Sequence, residues 1–156
     1  MKLIKVIHSR CVGCRLCEMM CSLIHEGECS TSKSRIRIVR DEEFGNNLAS
    51  LCTQCDEAYC VESCPTGALN RDPGTGAVLV DEASCNGCEA CLVVCPLGAI
   101  YMNNETSTVF KCDLCGGDPE CVKFCSRSTL TLEEADIDSP DRKSFMAETT
   151  ELLAAV

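Results

Sequence analysis

The sequence has no tryptophan and only 4% aromatic residues, so the side chains that usually dominate a hydrophobic core are scarce. A chain this short of large apolar groups needs disulfides or metal to hold one conformation. Apolar runs of membrane-spanning length are absent. The first residues, MKLIKVIHSRC, lack the apolar stretch and small-residue cleavage site of a secretory leader, which sets the expectation of a cytoplasmic protein. Runs of lysine and arginine are missing too, and the net charge of −10 has the wrong sign for a nucleic-acid contact face. No Ser/His/Asp set, P-loop or G-x-G-x-x-G after a strand is present; the two glycines of DPGTGA read as a hairpin turn, not a phosphate loop. Histidine occurs twice, as His8 and His25, and both read as surface residues.

What the chain does have is cysteine, 17 in 156 residues. Disulfides do not account for them: an odd total leaves one thiol over, and nothing at the N-terminus directs the chain to an oxidising compartment. The cysteines are therefore read as reduced ligands. They return in four groups: Cys11, Cys14, Cys17 and Cys21; Cys52, Cys55, Cys60 and Cys64; Cys85, Cys88, Cys91 and Cys95; Cys112, Cys115, Cys121 and Cys125. Only Cys29, in the polar loop HEGECSTSKS, stands outside, as a spare thiol.

The first and third groups have the C-x2-C-x2-C-x3-C spacing of bacterial [4Fe–4S] sites, in which three close thiolates on one loop wrap three irons of a cubane. The second and fourth enlarge the loop before the third cysteine and keep the final x3 step. Zinc is the rival metal, because these two groups could each mimic a pair of C-x2–4-C arms. Three close thiolates per loop in the other two suit a cluster better than a tetrahedral ion. Every group has its fourth cysteine, so complete cubanes are expected. The acidic balance suits docking on a basic partner surface and biases a bound redox centre toward low potential. Arg15, Lys111 and Lys123 sit beside ligands, where they would either raise individual potentials or be plain solvated charges.

Local pattern supplies the connections. EACLVVC reads as a short helix stopped by Pro96 and followed by a strand, GAIYM; Pro65 and GAL repeat the device. Such a stop turns the fourth cysteine away from its own loop, and in two-cluster ferredoxins that cysteine ligates the other cluster. GALNRDPGTGAVLV reads as a hairpin that makes groups two and three one ferredoxin module, which leaves groups one and four to form the other. KLIKVI and TLTLEE are strands expected to lie near each other, and RIRIV is a strand with one solvated face. Beyond the last ligand, Ser139 and Pro140 start a helix. Phe145, Met146, Thr149, Leu152, Leu153 and Val156 share one of its faces, for packing on the chain's own body or for docking a partner.

On these motifs the chain to about Glu134 resembles the four-cluster, ferredoxin-like electron-transfer subunits of molybdenum and tungsten oxidoreductases, hydrogenases and carbon-monoxide dehydrogenases. CSLIHEGECSTSKSRIRI and KCDLCGGDPECVKFC most resemble the small subunits of tungsten aldehyde oxidoreductases or benzoyl-CoA-reducing complexes, systems of anaerobic metabolism. The resemblance implies an α+β fold of two bacterial-ferredoxin-like modules, the second inserted within the first. Residues 1–50 and 97–135 would form the outer module, 51–96 the inserted one, and 136–156 a tail. It implies four [4Fe–4S] clusters with these ligand sets: Cys11, Cys14, Cys17 and Cys125; Cys112, Cys115, Cys121 and Cys21; Cys52, Cys55, Cys60 and Cys95; Cys85, Cys88, Cys91 and Cys64. The implied role is a non-catalytic relay of single electrons. Its partners would be a large catalytic subunit with a tungsten or molybdenum pterin and a flavin-containing, NAD(P)-reactive subunit. A freely diffusing polyferredoxin is the alternative; a redox-sensing scaffold is less suited, since the chain has no room for an effector module. CSRSTL departs from the family pattern, with Ser126 where many relatives carry proline.

Overall fold

The computed structural model describes residues 1–40, 45–134 and 140–154. Its strands are short and pair only in twos. β1 (Lys2–Val6) runs antiparallel to β8 (Leu130–Glu134), from Lys2↔Glu134 to Val6↔Leu130, so the early and late chain meet. β2 (Ile36–Arg40) pairs with β3 (Asn47–Leu51), β4 (Leu69–Arg71) with β5 (Val78–Val80), and β6 (Ile100–Asn103) with β7 (Thr108–Lys111). Among the described residues these remain four separate two-stranded ribbons. A lone hairpin is marginally stable in water, so each ribbon depends on what covers its face. Most of RIRIV lies in β2, with Ile36 and Ile38 buried, but the expected solvated face is half-covered, since Arg37 stacks on the Tyr101 ring at 4.1 Å. β3 and β7 carry no such alternation.

Three of the helices between the ribbons are single turns. α2 (Tyr59–Glu62), α3 (Ala90–Val94) and α4 (Glu120–Lys123) stop just before Cys64, Cys95 and Cys125. Each is followed by the same tight turn, with Pro65, Pro96 and Ser126 in its first position; serine adopts the turn without the proline ring. α1 (Leu16–Glu26) differs. It runs on past Cys21 and ends at Gly27, whose φ of +72° lets its N–H close on the Leu23 carbonyl.

Two hydrophobic clusters result, and the cysteines belong to both. The larger gathers Leu3, Ile4, Ile36, Leu51, Leu114 and Leu130; the smaller gathers Leu69, Val78, Ile100 and Val109. Truncating a residue as buried as Ile4 removes about 2–5 kcal/mol. α5 (Pro140–Ala154) buries Phe145 and Thr149 and lies against β3, with Met146, Leu152 and Leu153 half-buried, so that face packs on the chain's own body. Ser139 and Val156 lie outside the described residues. Between α5 and β1 runs a groove of about 600 Å³. Among the described residues no helix is long and apolar enough to cross a membrane.

Candidate metal centres

Each C-x-x-C step contains one left-handed residue just before its second cysteine. φ is +66° at Gly13, +56° at Gln54, +67° at Gly87 and +59° at Leu114. Such a step costs a residue with a Cβ about 1–2 kcal/mol, so its return in all four loops marks a constraint on the loop rather than a local accident. At Gly13 and Gly87 space adds a second reason for glycine: a Cβ would run into the Asn47 side chain or the Ser107 carbonyl.

The loops and turns enclose cavities lined by sulfur. Cys11, Cys14, Cys17 and Cys125 line one, with Ile38, Ala49 and Leu130 around them. Cys21, Cys112, Cys115 and Cys121 line a second under Ile4, Ile36 and Leu51. Cys64, Cys85, Cys88 and Cys91 line a third beside Leu69 and Val109. The remaining four also sit together, because Cys52, Cys55 and Cys95 all raise the pKa of Cys60. Cys29 is exposed and joins none of these groups. Neighbouring sites touch electrostatically: Cys17 acts on Cys121, and Cys52 acts on Cys112. Cys95 and Cys91 share the smaller hydrophobic cluster. Each site therefore neighbours the next, in the order Cys11, Cys21, Cys52 and Cys64.

Burial governs the third cysteine of every loop. It lifts Cys17 to about 12 and Cys60 and Cys91 to about 11, with neighbouring thiols adding to the rise, and it lifts Cys121 further still. The fourth cysteines receive amide donors instead. Ala68 N–H donates to Cys64 Sγ at 3.2 Å, Ala99 N–H to Cys95 Sγ at 3.4 Å and Thr129 N–H to Cys125 Sγ at 3.2 Å. Arg35 N–H serves Cys21 at 3.3 Å. At Cys21, Cys64 and Cys125 burial opposes the thiolate, yet the hydrogen bonds outweigh it and the pKa falls. Four converging thiols that oppose one another's ionisation, with amides aimed at sulfur, fit a soft multinuclear cation whose binding expels the protons.

The histidines are not surface residues. His25 has a side chain 11% exposed. Its Nδ1 donates to the Cys21 carbonyl at 2.8 Å and its Nε2 to both Asp113 oxygens at 3.1 Å, so both ring nitrogens carry protons. The Asp113 carboxylate holds His25 protonated up to about 12. Burial works against the carboxylate in turn, but hydrogen bonds from His25 and the Cys115 N–H keep its pKa at about 2. The pair thus ties the helix bearing Cys21 to the loop bearing Cys112 and Cys115. His8 is half-buried, and among the described residues both of its ring nitrogens are shielded from water without a partner. Arg15 pairs with Glu18 at 3.7 Å, and Lys123 is an exposed charge tied to Asp118 and Glu120. Lys111 is neither exposed nor solvated: only 2% of it reaches water. A sign of the His25 contact was present in the sequence, since His25 follows Cys21 by one helical turn.

Ribbons and single-turn helices wrapped around converging thiols define a small mixed α/β iron–sulfur protein of the ferredoxin kind. The chain belongs to the 4Fe–4S dicluster domain family, whose model matches residues 43–135, and it binds [4Fe–4S] clusters. The polyferredoxin-like subunit of aliphatic sulfonate oxidoreductase from Pyrococcus furiosus is 46% identical over 123 residues, 78% of this chain and 70% of that protein. The thiosulfate reductase electron transfer subunit PhsB of Salmonella typhi is 33% identical over 144 residues, 82% of this chain and 74% of its own length. The fold is similar to a chain of the BamBC active-site complex of benzoyl-coenzyme A reductase, with a TM-score of 0.54 and 25% identity, covering 99% of this chain and 90% of that one.

Proposed function

We propose that the protein is a non-catalytic electron-transfer subunit with four [4Fe–4S] clusters, one in each four-cysteine site, relaying single electrons through an oxidoreductase complex. The observation that carries this reading is the set of cavities each lined by four cysteines, one site neighbouring the next, which suits conduction through the protein. The ligand sets are the four cysteine groups that share a site. The β1–β8 ribbon supports an outer module, 1–50 and 97–135, around an inserted one, 51–96. A bound cubane takes up and returns one electron without bond making or proton transfer. The chain's own work is to hold sixteen thiolates in place, keep water out with Ile4, Leu51, Leu69 and Val109, and aim amide N–H groups at sulfur so that thiolate charge is stabilised.

The names of its relatives support a large catalytic partner subunit, which we assign as a tungsten or molybdenum pterin enzyme of the aldehyde oxidoreductase kind in the cytoplasm of an anaerobe. A flavin-containing, NAD(P)-reactive subunit would stand at the other end. Anaerobic purification tests both parts. About 16 irons per chain and a stoichiometric large metalloenzyme are expected. Mainly zinc, or about 8 irons, overturns the four-cluster reading, and a fully loaded chain that purifies alone replaces the subunit with a free carrier.

A further inference from the structure

Lys111 ends β7 one residue before Cys112, and it is turned inward. Its Nζ donates to the Val78 carbonyl at 2.6 Å, the Cys112 carbonyl at 3.0 Å and Gln54 Oε1 at 3.3 Å. Gln54, fully buried, completes the network: Nε2 donates to the Cys112 carbonyl at 2.9 Å, and Oε1 also accepts from Val78 N–H at 2.9 Å. All three acceptors of the ammonium are neutral oxygens. Among the described residues no carboxylate pairs with it. An ammonium removed from water is held by such dipoles and is stabilised further by any anion that faces it.

The anions within reach are sulfur. The bonds of Lys111 reach the loops of two sites, since the Cys112 carbonyl belongs to the Cys21 site and Gln54 lies within the C-x-x-C step of the Cys52 site, and the charge favours the thiolates of Cys60 and Cys112 there. Lys111 therefore stands at the junction of the two inner members of the series. A cubane with four thiolates is a dianion when oxidised and a trianion when reduced, so a nearby fixed cation favours the reduced form. An electron passing between clusters held at these two sites would leave one side of the lysine and arrive on the other; one cluster would be oxidised as its neighbour is reduced, with no bond or proton moved.

We propose that Lys111 is the shared counter-ion of the two inner clusters, a fixed buried charge that raises both reduction potentials relative to the outer two and makes the inner pair the resting place of an electron in the relay. This rests on the four-cluster reading, which the iron content of the unaltered protein tests separately. The experiment is an anaerobic potentiometric titration of the loaded full-length chain, followed by electron paramagnetic resonance. In Lys111→Met, two of the four reduction steps should move to more negative potential and two should stay, with iron content unchanged. Lys123→Met, which removes an exposed charge, should leave all four in place. Gln54→Glu sets a carboxylate against the ammonium without removing it and should move the same two steps in the same direction, which keeps the proposal testable if Lys111→Met does not load or fold. Full iron with all four steps unmoved in either variant overturns the proposal, as does a uniform shift of all four.

Discussion

Past Cys64, Cys95 and Cys125 the chain turns at once; past Cys21 it continues as helix. In the three turned repeats the amide that reaches the fourth sulfur lies four residues downstream, so turn and donor come as one local unit. In the first repeat the donor is Arg35 N–H, fourteen residues on, delivered by a loop that leaves α1 and returns. The longer helix carries a set of ties to distant segments. Buried Glu18 accepts from Ile38 N–H at 2.9 Å, Ser22 Oγ accepts from Ser30 N–H at 2.9 Å, and His25 holds Asp113. A fourth ligand can thus be positioned by a local turn or by remote contacts. The first repeat takes the second route, and so joins the early chain to the late one.

The contrast is broken most severely at the fourth cysteines. Cys125→Ser should drop anaerobic iron content from about 16 to about 12 per chain, with the loss confined to the Cys11 site; loss at the Cys52 or Cys64 site would dissolve the grouping of first and fourth repeats. His25→Gln cuts a remote tie and leaves the Asp113 carboxylate without its cation. A hydrogen-bonded charge pair of this kind is worth about 1–2 kcal/mol once partial exposure is discounted, so Tm should fall by about 2–8 °C. An unchanged Tm would mean that the first repeat needs no such tie. Ser126→Pro sharpens the similarity among the turned repeats. If the turn after Cys125 matches those at Pro65 and Pro96, proline restricts only the unfolded chain and adds about 0.4–1 kcal/mol of stability. Loss of the Cys11 site in that variant would show the turns to be unlike.

Much of this was legible in the residues. The four returns of cysteine spacing, the β4–β5 hairpin, the meeting of KLIKVI with TLTLEE, the helix from Pro140 and the exposed Cys29 each rest on a local pattern, and each is present in the fold. β3 and β7 were not read, because four or five residues without alternation hold strand form only through the ribbon partner and the cluster beneath. Burial of His25 and Lys111 was missed for a related reason. A charged side chain goes inside when a partner from elsewhere in the chain meets it, here Asp113 for one and the Gln54 and Val78 oxygens for the other, and no spacing rule carries that information. Gln54 shows the same limit: a polar residue in C-x-x-C reads as loop surface, yet it is fully buried and left-handed.

The β1–β8 ribbon bears on how the chain is made. Lys2–Val6 waits for Leu130–Glu134, so this pairing forms only after nearly all of the described chain has left the ribosome. Closing so long a loop adds little free energy, about 0.6 kcal/mol per doubling of length, but it places a distant encounter at the end of folding. The thiols become available in a matching sequence. Those of the Cys52 and Cys64 sites are all present once Cys95 has emerged, those of the Cys21 site once Cys121 has, and those of the Cys11 site only with Cys125. The nascent chain thus offers its metal sites in order from the Cys64 end of the series to the Cys11 end, and the last of them is finished beside β8, the strand that closes on β1.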